Sequence, residues 1–162
     1  MGFKQLEKLI NSISGYDNRL QFITNSTTVG WYRGNNAKAD YYFWIDPPWR
    51  IIKSNSIIIN SYNYPYHENY TDDESEKEAQ DFHEWASQAG FLTWEKVSKV
   101  SFSELGDLKI VWANKCQMDV FVNSTEDSSY HFYDNVAGIH YEIYPGKIEI
   151  RKIERRNLRE IY

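Results

Sequence analysis

The chain has 162 residues, of which 41% are hydrophobic and 17% aromatic, and its net charge is −5. This length suits a single domain covering residues 1–162, since a chain of this size buries roughly two-thirds of its unfolded surface. Cys116 is the only cysteine, which excludes an internal disulfide and favours a reducing, cytoplasmic location. No apolar run approaches the ~18 residues of a membrane span, and the amino terminus lacks a signal-peptide pattern, so we expect no membrane contact.

The first 60 residues predict a short helix followed by strands. Residues 3–13 carry Phe3, Leu6, Leu9, Ile10 and Ile13 at helical spacing, which predicts an amphipathic helix ending at Gly15. Residues 20–60 form a first strand set, because their apolar runs are rich in β-branched and aromatic residues and are separated by polar or proline-containing segments. The predicted strands cover residues 20–24, 28–33, 41–45 and 51–59.

Two adjacent prolines interrupt this strand set. Neither Pro47 nor Pro48 has an N–H group to donate to a ladder, so residues 46–50 are predicted to form a turn or a bulged edge. Trp49 is expected to cover the core beside that corner.

Residues 72–89 predict an acidic amphipathic helix between two sets of strands. Thr71 and Glu74 have the spacing of a capping box, and Gly90 is expected to end the helix in the left-handed conformation. The apolar stripe consists of Ala79, Phe82, Trp85, Ala86 and Ala89. Asp73, Lys77, Gln80 and Glu84 lie on the opposite side, so the helix is expected to pack on a sheet and expose its charge.

A second strand set is predicted over residues 107–152, after a connection containing Trp94 and Val97. Residues 108–112 and 118–122 alternate around an Asn114–Lys115 turn, and residues 130–133, 139–144 and 147–152 follow, the last two joined by Pro145–Gly146. Residues 153–162 form a basic tail. The pattern predicts an α+β fold with a strongly twisted, mostly antiparallel sheet or a partly open barrel.

The sequence offers little catalytic chemistry. His83 is followed one turn later by Ser87, so the second ligand of a zinc-protease helix is missing, and His67, His131 and His140 have no recognisable ligand spacing. We therefore expect no metal and no cofactor. An enzyme stays an alternative that would require Cys116 with His131 or His140, or a buried Asp46 with Arg50.

The dominant feature is negative charge between residues 68 and 84, where eight carboxylates and a single lysine give a local charge of −7. Such a field attracts basic partners and repels nucleic acid, so we expect a protein partner and no nucleic acid. The basic tail is expected to be solvated or paired with this acidic surface. The residues predicted to steer a partner are Asp72, Asp73, Glu76, Asp81 and Glu84. The predicted aromatic anchors are Tyr62, Tyr64, Tyr66 and Tyr70.

Two segments carry a resemblance to a known group of proteins. Residues 43–51, an apolar strand followed by Pro-Pro-Trp-Arg-Ile, and residues 106–112 with 118–122, 130–133 and 144–146 resemble elements of small bacterial β-rich proteins. Some of these proteins are neighbours of polymorphic or contact-dependent toxins and are regarded as their immunity proteins. The resemblance implies a non-enzymatic inhibitor of a cognate toxin, for which a nuclease is a suitable candidate. A self-associating structural domain is the main alternative, and the chain is expected to be a monomer or a homodimer.

Overall fold

The computed structural model describes residues 1–23, 26–122, 127 and 130–153. Within these residues it contains helices α1 (Phe3–Asn11) and α2 (Ser75–Ser87) together with eleven strands. The strands are β1 (Asp17–Ile23), β2 (Ser26–Tyr32), β3 (Tyr41–Ile45), β4 (Trp49–Lys53), β5 (Ser56–Asn60), β6 (Val97–Phe102), β7 (Leu108–Trp112), β8 (Gln117–Val120), β9 (Tyr130–Asp134), β10 (Ile139–Tyr144) and β11 (Lys147–Lys152). The predicted α+β class is confirmed.

The strands of the described residues form two antiparallel sheets, which are not closed into a barrel. The six-stranded sheet has the order β1-β2-β3-β9-β10-β11, and the five-stranded sheet has the order β5-β4-β8-β7-β6. Each sheet therefore combines strands from both predicted sets. The chain changes sheets at the proline turn between β3 and β4, which explains why the two sets intermix.

The two sheets share one hydrophobic core. Phe43 and Phe132 from the six-stranded sheet and Ile51 and Ile110 from the five-stranded sheet are fully buried members of the same cluster. Burial alternates along β7 and β9, as expected for strands with one face towards the core. Trp49 is also buried, which confirms its predicted role, although it begins β4 and is not part of the turn.

Two local predictions were wrong. The predicted strand at residues 51–59 is a hairpin, because Ser54 and Asn55 adopt φ angles of 48° and 63° and reverse the chain between β4 and β5. The predicted connection after Trp94 contains β6, where Val100 and Phe102 are buried and pair with β7. The other predicted hairpins, β7–β8 and β10–β11, are confirmed.

Helix α1 ends at Asn11, earlier than the predicted residue 13, and it covers an edge of the five-stranded sheet. The Asn11 amide donates to the Val100 carbonyl and accepts from the Val100 N–H, both at 2.8 Å. Glu7 accepts the N–H of Phe102 at 3.0 Å. These bonds satisfy backbone groups of the edge strand β6 that would otherwise face solvent.

None of the helices in the described ranges is both long and apolar enough to cross a membrane.

Candidate protein-binding surface

The acidic segment starts with the predicted capping box. Thr71 donates both its N–H and its hydroxyl to Glu74 Oε1, each at 3.0 Å. These two hydrogen bonds, the backbone one first, lower the pKa of the Glu74 carboxyl. The first turn, Asp72–Glu74, is a 3₁₀ helix and α2 begins at Ser75, so the predicted helix is composed of two helical pieces.

The other end of the helix differs from the prediction. Gly90 does not adopt a positive φ, and so it does not supply the left-handed stop. It begins instead a second 3₁₀ turn, Gly90–Leu92, in which Leu92 is fully buried. The chain thus keeps turning in the right-handed sense after α2 and brings Leu92 into the core. A left-handed residue at position 90 would have turned the chain in another direction.

Trp85 anchors α2 to the core. Trp85 is 6% exposed, and its Nε1–H donates to the Asn60 carbonyl at 3.3 Å. Its ring packs against Phe22, Trp49, Tyr64 and Phe82, at centroid distances of 4.9, 5.8, 5.1 and 6.0 Å. Of the rest of the predicted stripe, Ala89 is buried, Phe82 and Ala86 are half-buried, and Ala79 is exposed. This packing holds α2 in a fixed orientation.

The predicted steering carboxylates face solvent with one exception. Asp72, Asp73, Glu76 and Glu84 are exposed and together form the acidic face, whereas Asp81 is half-buried. Within the described residues, the acidic segment 68–84 has two ion pairs, Lys77 with Glu74 at 3.9 Å and His67 with Glu78 at 3.0 Å. Most of its negative charge is therefore not neutralised by these neighbours.

Arg151, on β11 just before the basic tail, pairs with carboxylates outside the acidic segment. Arg151 pairs with Glu142 at 3.3 Å and with Glu149 at 3.6 Å, on the six-stranded sheet. The expected pairing of the tail with the acidic surface involves residues 154–162, which lie outside the described residues.

The four predicted aromatic anchors have different surroundings. Tyr62 is 88% exposed. Tyr64 packs against Tyr66 at 4.9 Å, and the Tyr66 hydroxyl donates to the Ser61 carbonyl at 3.3 Å. The Tyr70 hydroxyl donates to Asp81 at 2.7 Å, which raises the pKa of Tyr70 to about 12. Tyr62 alone of the four extends into solvent, and the other three hold the loop against itself or against α2.

A shallow cavity of about 300 Å³ adjoins the acidic face. Its walls combine aromatic and aliphatic surface with one carboxylate. The lining residues are Tyr64, Pro65, Ser75, Glu78, Ala79 and Phe82. A partner side chain with an apolar stem and a basic head matches this combination, because such residues bury their stems and keep their charge near water.

The enzymatic alternatives are not assembled by the fold. Cys116 is buried beside the β7–β8 turn, and its burial raises the pKa of the thiol, which disfavours the nucleophilic thiolate. His131 and His140 lie on the other sheet. Arg50, which the enzymatic alternative would require beside Asp46, pairs instead with Asp119, its cross-strand neighbour on β8, at 3.1 Å.

The structure brings together two histidines that the sequence analysis treated as unrelated. His131 on β9 and His140 on β10 have their Nδ1 and Nε2 atoms 2.8 Å apart. Burial lowers the pKa of both, and the neighbouring His131 lowers that of His140 further, to about 4. Glu142 lies directly opposite His131 in the ladder. The two strands were predicted, but not their pairing, and only the register of that pairing reveals the proximity.

Comparisons with protein-family models, with curated proteins and with solved structures found no match for this chain. The resemblance to toxin-associated proteins therefore stays a prediction.

Proposed function

We propose that this chain is a non-enzymatic protein-binding domain that presents its acidic segment to a basic surface of another protein. The observation that supports the proposal is the net charge of −7 over residues 68–84, a segment whose helix α2 is fixed to the core by Trp85. Four of the five predicted steering carboxylates are exposed. A fixed array of like charges accelerates the approach of an oppositely charged partner and selects against partners of the same sign.

The negative charge of the surface limits the class of partner that it can bind. A nucleic acid is a polyanion and is repelled by this field, whereas a protein that binds nucleic acid must itself have a basic cleft. We therefore propose that the partner is a protein toxin with a basic active-site cleft, such as a nuclease, and that this chain is its immunity protein. In this proposal the chain acts in the cytoplasm, without contact with a membrane.

Tyr62 and the adjoining cavity are the proposed contact points within the charged field. Interface affinity is concentrated in a few buried aromatic or arginine side chains, while surrounding charges mainly set the rate of encounter. Tyr62 has exposed area to bury in a partner. The cavity beside Phe82 in turn suits an arginine or lysine of the toxin, whose charge would face Glu78.

The test compares two charge reversals of equal size. The proposal predicts that the adjacent reading frame encodes a secreted toxin with a variable carboxy-terminal domain, and that domain is the ligand in this test. Asp73→Lys/Glu84→Lys changes the net charge by +4 on the acidic face. Asp17→Lys/Glu104→Lys makes the same change at exposed positions elsewhere. The first variant is expected to reduce the association rate constant at least about tenfold at low salt, and the second to reduce it far less.

The outcomes separate local steering from overall charge. Equal losses in both variants would show that only net charge matters, and unchanged binding in the acidic-face variant would exclude this face as the docking surface. Far-UV circular dichroism confirms that each variant is folded.

Self-association is the second candidate function. Strands β5 and β11 are sheet edges, and they expose Ile57 and Ile150. Unpaired edges are templates for another chain, although Lys147, Glu149 and Arg151 place charge along β11 and disfavour such pairing. Light scattering of the purified chain distinguishes a monomer from a dimer.

A further inference from the structure

A cluster of metal-ligating side chains lies on the six-stranded sheet. His131 and Tyr133 project from β9, opposite Glu142 and His140 of β10 respectively. These four residues alternate with the buried Phe132 and Tyr141, so they occupy the face of the sheet that points away from the core. The antiparallel register therefore places two imidazoles and a carboxylate next to one another on a half-buried surface.

The distances suit a common ligand. Nδ1 of His131 and Nε2 of His140 are 2.8 Å apart, and one donor atom from each of His131, His140 and Glu142 lies within 4.8 Å of the others. Two nitrogens bound to one zinc ion at 2.0–2.1 Å with tetrahedral geometry are about 3.3 Å apart. The 2.8 Å contact is a hydrogen bond between the rings, so to admit the ion the two nitrogens must move about 0.5 Å apart and both rings must turn towards it.

We propose that His131, His140 and Glu142 form a binding site for a divalent transition-metal ion of the zinc type. Two imidazoles and one carboxylate are a donor set that zinc, cobalt and nickel accept, whereas magnesium and calcium require mostly oxygen ligands. Three protein ligands leave at least one coordination position for water or for another ligand. The site uses residues of the six-stranded sheet and is independent of the acidic face.

Neighbouring side chains hold these ligands in position. The Tyr133 ring stacks on His140 with centroids 4.2 Å apart and an interplanar angle of 7°. The Tyr144 hydroxyl donates to Glu142 Oε2 at 2.9 Å, which leaves Oε1 on the other side of the carboxylate. Contacts of this kind fix the orientation of metal ligands.

Arg151 competes with a metal for the carboxylate. Its Nε lies 3.3 Å from Glu142 Oε1, and its side chain is 61% exposed. An exposed arginine can move into solvent when a divalent cation replaces it. Removing Arg151 should therefore tighten metal binding, which is the opposite of the effect expected for removing a ligand.

The experiment measures Zn²⁺ binding to the full chain without an affinity tag, after chelator treatment, by competition with a chromophoric chelator. The wild type is expected to bind one equivalent. Co²⁺ substitution should give visible absorption bands of a low-coordinate site. His140→Ala is expected to weaken Zn²⁺ binding at least about 100-fold, because outer partners alone contribute 10–100-fold. Arg151→Ala should tighten binding severalfold.

The matched control removes the other two histidines. His67→Ala/His83→Ala alters exposed imidazoles on the acidic segment and should leave Zn²⁺ affinity unchanged. Absence of stoichiometric binding by the wild type, or loss of binding in this control with retention in His140→Ala, would overturn the proposal. Unchanged or weaker binding in Arg151→Ala would overturn the role of Glu142.

A measurement on the wild type avoids any effect of substitution on folding. Diethyl pyrocarbonate modifies accessible imidazoles, and mass spectrometry locates the modified residues. Zn²⁺ should protect His131 and His140 while His67 and His83 still react. Equal modification of all four with and without Zn²⁺ would contradict the site.

Discussion

The attachment of the acidic helix to the core depends on Trp85, and its replacement gives the sharpest test of the fold. A buried tryptophan removes 150–250 Å² from water, which at ~25 cal/mol per Å² gives an upper bound of about 4–6 kcal/mol. Trp→Ala substitutions in cores cost about 3–5 kcal/mol. Because Trp85 is 6% exposed and packed between aromatic rings of both sheets, we expect Trp85→Ala to reduce the free energy of unfolding by about 4 kcal/mol.

A conservative substitution divides this effect into parts. Trp85→Phe retains one ring in the cluster but loses the second ring and the hydrogen bond to the Asn60 carbonyl. We expect a loss of about 1–2 kcal/mol, of which the hydrogen bond accounts for about 1 kcal/mol.

Urea unfolding followed by far-UV circular dichroism measures both variants, with an unchanged m-value showing that only stability has changed. Trp94→Ala is the matched control, since Trp94 is 62% exposed, and it should cost less than about 1 kcal/mol. If Trp85→Ala were no more destabilising than this control, the acidic helix would not be held as described.

Three further predictions concern local structure. Gly106→Ala should lower the free energy of unfolding, measured by thermal melting, by about 1–3 kcal/mol, and Gly90→Ala should change it by less than about 0.5 kcal/mol. The reason is that φ of Gly106 is +98° and that a Cβ there would lie 2.7 Å from the ring of Phe3. Equal melting temperatures would refute this close approach. Thr71→Ala should lower the free energy of unfolding in urea by about 0.5–2 kcal/mol, and Thr71→Ser should lower it much less. No loss in Thr71→Ala would show that the cap contributes nothing to stability. Asp81→Asn should move the pKa of Tyr70 from about 12 towards 10, as measured by phenolate absorbance with Tyr70→Phe as the blank. Because folding raises the pKa of Tyr70, the contribution of its hydroxyl to stability is complete below pH 10 and is lost as the pH rises through about 12. A Tyr70 pKa in Asp81→Asn equal to that of the wild type would contradict the hydrogen bond.

Elements with strong local signals were predictable from the sequence. The Thr71–Glu74 capping box marked the start of the acidic helix, and Pro145–Gly146 marked the β10–β11 turn. The hairpin at Ser54 and Asn55 was missed because a run of isoleucines on both sides concealed a two-residue turn. Strand β6 was missed because an irregularity between Val97 and Lys99 breaks its alternation, which only Val100, Ser101 and Phe102 keep.

The arrangement of the sheets was not predictable, because it depends on contacts distant in sequence. β3 pairs with β9 while β4 pairs with β8, and no local pattern specifies these partners. The histidine cluster has the same origin, since its members become neighbours only through the β9–β10 register. The acidic surface, in contrast, was evident because its charges are consecutive in the chain.

We propose residues 68–84 as the surface that meets a protein partner. The decisive measurement is hydrogen exchange of the chain, free and saturated with the carboxy-terminal domain of the proposed toxin. Slower amide exchange in residues 62–84 of the complex, and little change along β9 and β10, is the predicted result. Protection of the six-stranded sheet with no change in the acidic segment would exclude residues 68–84 as the binding surface.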